Sequence, residues 1–154
     1  MNNSFINLSV VEGPKYNILY FVVLESQPTP LCWEEFIKNF RLKIDELNAN
    51  NKKYAFLLDI RKLGMIGVSK IKDFIKVLTD NEGNIEEKVI CSTVILEGRA
   101  VKALCGIFLT FYKTRKPLHF YKNKEKCVAK ILEIYQNNNE QDYGVDYSQL
   151  SEFE

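Results

Sequence analysis

Between Lys53 and Ile75 the chain reads KYAFLLDIRKLGMIGVSKIKDFI, and no other stretch restricts its fold as strongly. A nearly unbroken apolar run from Tyr54 stops at Asp59. A loop holding Gly64 and Gly67 follows. Apolar residues then return at helical spacing through Ile71, Phe74, Ile75 and Leu78. An apolar run without alternation predicts a strand buried on both faces, as in parallel sheets covered by helices. Such a strand delivers its loop to the end of the sheet where α/β proteins place their functional groups.

The flanking patterns extend this reading. Residues 5–11 (FINLSVV) alternate, Gly13-Pro14 supplies a turn, and residues 17–24 (NILYFVVL) form a second run, so a hairpin is expected. Thr29-Pro30 is a helix start, with a capping hydroxyl and a proline at the first helical position. Trp33, Phe36, Ile37, Phe40, Ile44 and Leu47 then recur at steps of three and four, which predicts a helix of about four turns. The helix after the central loop is expected to break at residues 80–83 (DNEG). Residues 89–96 (VICSTVIL) are rich in β-branched residues and predict another buried strand. Residues 99–112 predict a helix with Val101, Leu104, Cys105, Phe108 and Phe111 inward. Residues 117–121 predict a short strand whose proline puts it at an edge or at a strand start. Asn123 caps a last helix with Cys127, Val128, Ile131 and Ile134 as its buried stripe.

The order is therefore β-β-α-β-α-β-α-β-α. The fold class is α/β: one domain over residues 1–136, with an N-terminal β-hairpin followed by alternating strands and helices. The sheet is mixed and mostly parallel, flanked by about four helices. Residues 137–154 are expected to be an acidic, flexible tail.

Composition narrows the functional classes. The formal net charge of +1 hides an asymmetry, because residues 140–154 carry five acidic residues and no Lys or Arg. The rest of the chain has 21 basic against 15 acidic residues, or +6. A solvated tail follows, or self-association of the tail with a basic face, so a homodimer is compatible. The basic stretch Lys113, Arg115, Lys116, Lys122, Lys124 and Lys126 is interleaved with Tyr112, Phe120 and Tyr121. With four arginines in all and a near-neutral balance, it is read as a solvated face and not as a nucleic-acid site. Cys32, Cys91, Cys105 and Cys127 lie far apart in apolar segments, as buried thiols in a reducing compartment do. The first residues lack the basic start and apolar core of a signal peptide. The longest apolar stretch, near residues 103–112, falls well short of the ~20 residues that span a bilayer. A cytoplasmic protein without a transmembrane segment is expected.

Chemistry is sparse. His119 is the sole histidine, and alternation puts it on the face opposite Leu118 and Phe120. A general base needs a nucleophile and an orienting acid beside it, which the sequence does not place there. One histidine and scattered thiols lack metal-ligand spacing. Gly67-Val68-Ser69 lacks the second glycine of a nucleophile elbow, and no phosphate-binding glycine loop occurs. Asp59 and Arg61 are expected to pair locally. No catalytic residue, cofactor or metal is therefore expected.

Asp59-Ile60-Arg61-Lys62-Leu63-Gly64-Met65-Ile66-Gly67-Val68 resembles the phosphoacceptor loop of bacterial receiver domains, and Lys116-Pro117 resembles the Lys-Pro that closes their site. Receivers also need an acidic pair after the first strand to hold magnesium, whereas the strand ending near Leu24 offers only Glu25. Without a metal cage nothing neutralises an incoming phosphoryl group on Asp59. This leaves a degenerate receiver-like signalling domain as an alternative.

In element order, in the strand ending Leu58-Asp59, and in the closing strand and helix over residues 117–134, the chain resembles the STAS superfamily. That group includes anti-sigma-factor antagonists and SpoIIAA-like domains, the latter sometimes grouped with lipid carriers. The resemblance spans about residues 5–136. In its phospho-switch members an Asp-Ser-Ser-Gly motif opens the next helix, and here those positions are Gly67, Val68, Ser69 and Lys70. Valine stands where the phosphorylated serine would be, and Ser69 matches only the second serine. Ser69 is read as a helix N-cap, with a regulatory phosphosite as the alternative. The resemblance implies a non-enzymatic interaction or regulatory module with a protein partner at Met65, Ile66, Gly67, Val68, Ser69 and Lys70. The other implied reading is a carrier of a lipid or small apolar ligand, which requires an internal pocket lined by Phe108 and Phe111.

Overall fold

The computed structural model describes residues 5–137 and 145–146. Strands β1 (Ile6–Glu12) and β2 (Tyr16–Val23) form the expected antiparallel hairpin. Then come α1 (Pro30–Ala49), β3 (Lys53–Asp59), α2 (Val68–Asp80), α3 (Glu82–Lys88), β4 (Val89–Ile95), α4 (Arg99–Phe111), β5 (Leu118–Tyr121), α5 (Lys124–Asn137) and the two-residue β6 (Val145–Asp146). The sheet order is β1-β2-β3-β4-β5-β6, and every pairing after the hairpin is parallel. The expected α/β architecture is present, with two elements more. Apart from Asn137 and β6, the expected acidic tail lies outside the described residues.

The strand order explains the layering. From β2 to β5, right-handed crossovers advancing in one direction drop their connecting helices on the same face. Accordingly α1, α2, α3 and α4 cover one face, where Phe21, Phe36, Phe40, Val77 and Ile85 belong to one core cluster. Only α5 lies behind, with Cys127, Ile131 and Ile134 packed on Ala55, Leu57, Cys91 and Ile95. β3 is covered on both sides, which is why Tyr54, Ala55, Phe56 and Leu57 are all buried and the run does not alternate. β2 reaches beyond α5, so Leu19, Phe21 and Val23 are buried while Ile18, Tyr20 and Val22 are only half-buried.

Local chemistry sets the helix ends. Thr29 Oγ1 accepts from the Cys32 amide at 3.1 Å with Pro30 at the first helical position, as expected. Asn123 Oδ1 accepts from the Lys126 amide at 2.9 Å, also as expected. Residues 80–83 do not simply break the chain. The Asn81 amide closes α2 on the Leu78 carbonyl, and Asn81 also starts α3, a helix the sequence reading missed. α3 carries Glu82 in its first turn and Lys88 in its last, complementing the helix dipole. Lys88 Nζ reaches across to the Asn48 and Asn50 carbonyls at the end of α1.

Three positions differ from expectation. Phe111 was expected inward but is 46% exposed, with the Lys72 ammonium 4.9 Å from its ring centroid. Val128 was assigned to the buried stripe of α5 and is also exposed. Val128 lies one step past buried Cys127, where a 100° advance carries it to the rim, and Phe111 follows the exposed Thr110 at the end of α4. Ser69 does not cap α2: Gly67 occupies the N-cap, without a side-chain bond, and Ser69 lies two residues inside the helix, exposed.

Candidate functional site

The loop after β3 is held by backbone contacts. The Leu63 amide donates to Ile60 O at 3.0 Å, closing a turn, and the Gly64 amide donates to Ser26 O at 2.8 Å. Gln27 Nε2 donates to the Met65 carbonyl at 2.6 Å. Gly64 is required there, because a Cβ would lie 2.9 Å from the Ser26 carbonyl oxygen. Met65 (50% exposed) and Val68 (43%) face outward with Gly67 and Ser69, while Lys70 is half-buried. Ile66, expected to be exposed with them, is half-buried against the core beside Leu63. The loop thus has two sides, one toward solvent and one toward the interior.

At the other side of the strand end, Arg61 clamps Asp59. Arg61 Nη2 lies 2.7 Å from Asp59 Oδ2 and Nε donates to Oδ1 at 2.9 Å, with the Arg61 amide adding a third contact. Burial pushes the Asp59 carboxyl up, but the Arg61 hydrogen bonds and charge outweigh it and hold the group below the ordinary aspartate value. The expected local pair is what forms.

The register places Asp59 and His119 on the α5 face, but on different strands and not opposite one another. Asp59 pairs laterally with Ile95, and His119 with Thr93. The His119 ring stacks on Tyr121 with centroids 6.4 Å apart, on the face opposite Leu118 and Phe120 as alternation requires. Cys127 lies on the same face, and burial pushes its thiol up to about 11, with the Asp59 charge adding to the rise and a Thr93 hydrogen bond opposing it. That is the reverse of the electropositive setting that activates a cysteine. Asp59 and Cys127 interact electrostatically, and His119 lies on the strand beside Thr93, which hydrogen-bonds Cys127.

The basic stretch is divided by the fold. Arg115 forms ion pairs with Glu82 and Glu86 of α3, Lys116 is buried, and Lys124 sits 4.6 Å over the Tyr20 ring behind the sheet. It does not form one continuous cationic surface.

A cavity of about 180 Å³ separates the front of the sheet from α1, α2 and α4. Phe21, Phe56 and Phe120 line it from the strands. Trp33, Phe36, Phe74, Leu104 and Phe108 line it from the helices, and Leu63 and Ile66 from the loop. Phe108 is where the carrier reading needed it; Phe111 is not on the wall. α4 creates this space by standing off the sheet. Only Val101 and Leu104 of that helix are buried, and Cys105, Ile107, Phe108 and Leu109 are half-buried. A signal for it was in the sequence: α4 is apolar on more of its circumference than one covered face needs. Burial pushes the Cys105 thiol on this wall up to about 12.

An apolar cavity of this size stays dry and accepts apolar molecules; an engineered one of about 150 Å³ takes up benzene or xenon. Doubly wound sheets bind ligands in the crevice where their strand order reverses, and this sheet has no reversal. Among the described residues no helix is long and apolar enough to cross a membrane, and no group of three or more His, Cys, Asp or Glu residues could hold a metal ion. No protein-family model matches the chain, and no curated protein matches it.

Proposed function

We propose that this chain is a non-enzymatic binding module that holds a small apolar ligand between its sheet and its helix layer. The supporting observation is the 180 Å³ cavity with its aromatic and aliphatic wall. An apolar space of that size beneath a close-packed helix layer forfeits packing contacts and is costly to keep without an occupant. The STAS-like resemblance is compatible with this reading in one respect: with valine at position 68, the side chain there cannot take a phosphate. The test is native mass spectrometry of protein taken directly from its source, followed by extraction of any bound molecule. A copurifying apolar compound that raises the melting temperature when returned supports the reading. Protein that carries no such compound and gains no stability from apolar additives ends it.

Exposure of Met65 and Val68 on a pinned loop favours a second reading, a protein-interaction surface over residues 65–70. Under that reading, Val68→Asp abolishes partner capture in a pull-down, and undiminished capture refutes it. A cytoplasmic location goes with either reading, supported by four cysteines lying far apart in apolar segments.

A further inference from the structure

The shape and polarity of the cavity narrow the ligand further, on the reading that the cavity is a binding site. Its wall draws on all five long strands, from Ile6 on β1 to Leu118 on β5. At about 4.8 Å per strand spacing, it extends toward ~19 Å across the sheet. A volume near 180 Å³ holds about six groups the size of a water or methylene. That volume is too small for a two-chain lipid and admits one short chain.

Polarity is graded along it. The end by β1 and α1 is closed by Phe5, Ile6 and Trp33. The polar wall groups gather at the opposite end, where Ser92 on β4 adjoins the segment Thr114, Arg115 and Lys116 that leads into β5. Arg115 is the charged group there that reaches both solvent and cavity. Its ion pairs with Glu82 and Glu86 run through Nη2 and Nη1, and its Nε–H takes no part in them. A guanidinium has five N–H donors, enough for a further carboxylate beside two exposed ones.

We infer that the ligand is a single medium-length acyl chain of about six to eight carbons, with its carboxylate at Arg115 and its apolar end reaching about two strand spacings inward, toward β3. The test is calorimetric titration of the full chain with four probes: octanoate, octanol, palmitate and toluene. Octanoate is expected to bind about tenfold tighter than octanol, through the charge-assisted contact to Arg115. Arg115→Gln, a change at an exposed position, is expected to bring octanoate down to the affinity of octanol and leave octanol unchanged. The control Lys113→Gln, off the cavity wall, is expected to change neither. Equal binding of octanoate and octanol, or an Arg115→Gln protein that keeps the difference, overturns the carboxylate assignment. Tighter binding of palmitate overturns the chain length. Binding of toluene alone overturns the chain but keeps the cavity as a ligand site. Binding of none of the four overturns both this inference and the reading beneath it.

Discussion

The indole nitrogen of Trp33 donates to Asp73 Oδ2 at 2.9 Å, joining the first turns of α1 to the middle of α2. Trp33 also closes one end of the cavity and packs on Phe5 with ring centroids 6.0 Å apart. One hydrogen bond to a carboxylate therefore sets the distance between two helices of the cavity roof. Trp33→Phe keeps an aromatic wall and removes the donor. A loss of about 1–2 kcal/mol in urea denaturation is expected; unchanged stability means that packing alone positions the two helices.

Two glycines of one loop are predicted to respond in opposite directions. At Gly64 a new Cβ would crowd the Ser26 carbonyl oxygen, a backbone atom that cannot step aside alone. Gly64→Ala should cost about 1–3 kcal/mol. At Gly67 a Cβ meets nothing within 4 Å, φ is −68°, and the residue is the uncapped N-cap of α2. Gly67→Ser supplies the missing acceptor and should stabilise by a few tenths of a kcal/mol, to about 1. Melting temperatures of the two variants moving the same way would contradict this account of the loop.

Acid stability carries a contribution from Asp59. Its folded carboxyl titrates below the ordinary aspartate value while the unfolded one does not, so the unfolded chain binds the proton first. The contribution is complete above the unfolded pKa of about 4 and is lost as pH falls through the lower folded value. Asp59→Asn should flatten the fall in stability below about pH 4, read from urea midpoints across a pH series. A slope there identical to that of the unsubstituted protein would remove Asp59 from the acid limb.

Thiol reactivity should separate the four cysteines. Burial lifts Cys105 to about 12 and Cys127 to about 11, so at pH 8 almost no thiolate is present at either. Cys91 is buried, and Cys32 lies half-exposed near the start of α1. With a disulfide reagent on the native protein, one fast-reacting thiol at Cys32 is expected, the others following only on unfolding. Fast labelling of Cys105 would mean that the cavity wall opens readily to solvent.

Most elements were legible because their signals are local. The caps at Thr29 and Asn123, the unalternating run of β3 and the hairpin turn each follow from neighbouring residues. α3 was not, because it depends on Asn81 ending one helix and starting the next, and on Lys88 reaching the carbonyls at the end of α1. The candidate loop was found in sequence, yet its division into outward Met65 and Val68 and inward Leu63 and Ile66 was not. Val68 and Ile66 are equally apolar, and only the position of the core separates them.

By itself the sequence determined the class of most segments, the order of the strands and helices apart from α3 and β6, and the placing of Asp59 at a strand end. These rest on hydrophobic period and on capping side chains, which act within a few residues. The tertiary structure decided that four helices share one face, that α4 stands away from the sheet, and that Arg115 meets an apolar space. All three depend on how elements far apart in the chain pack together, where no local pattern reaches.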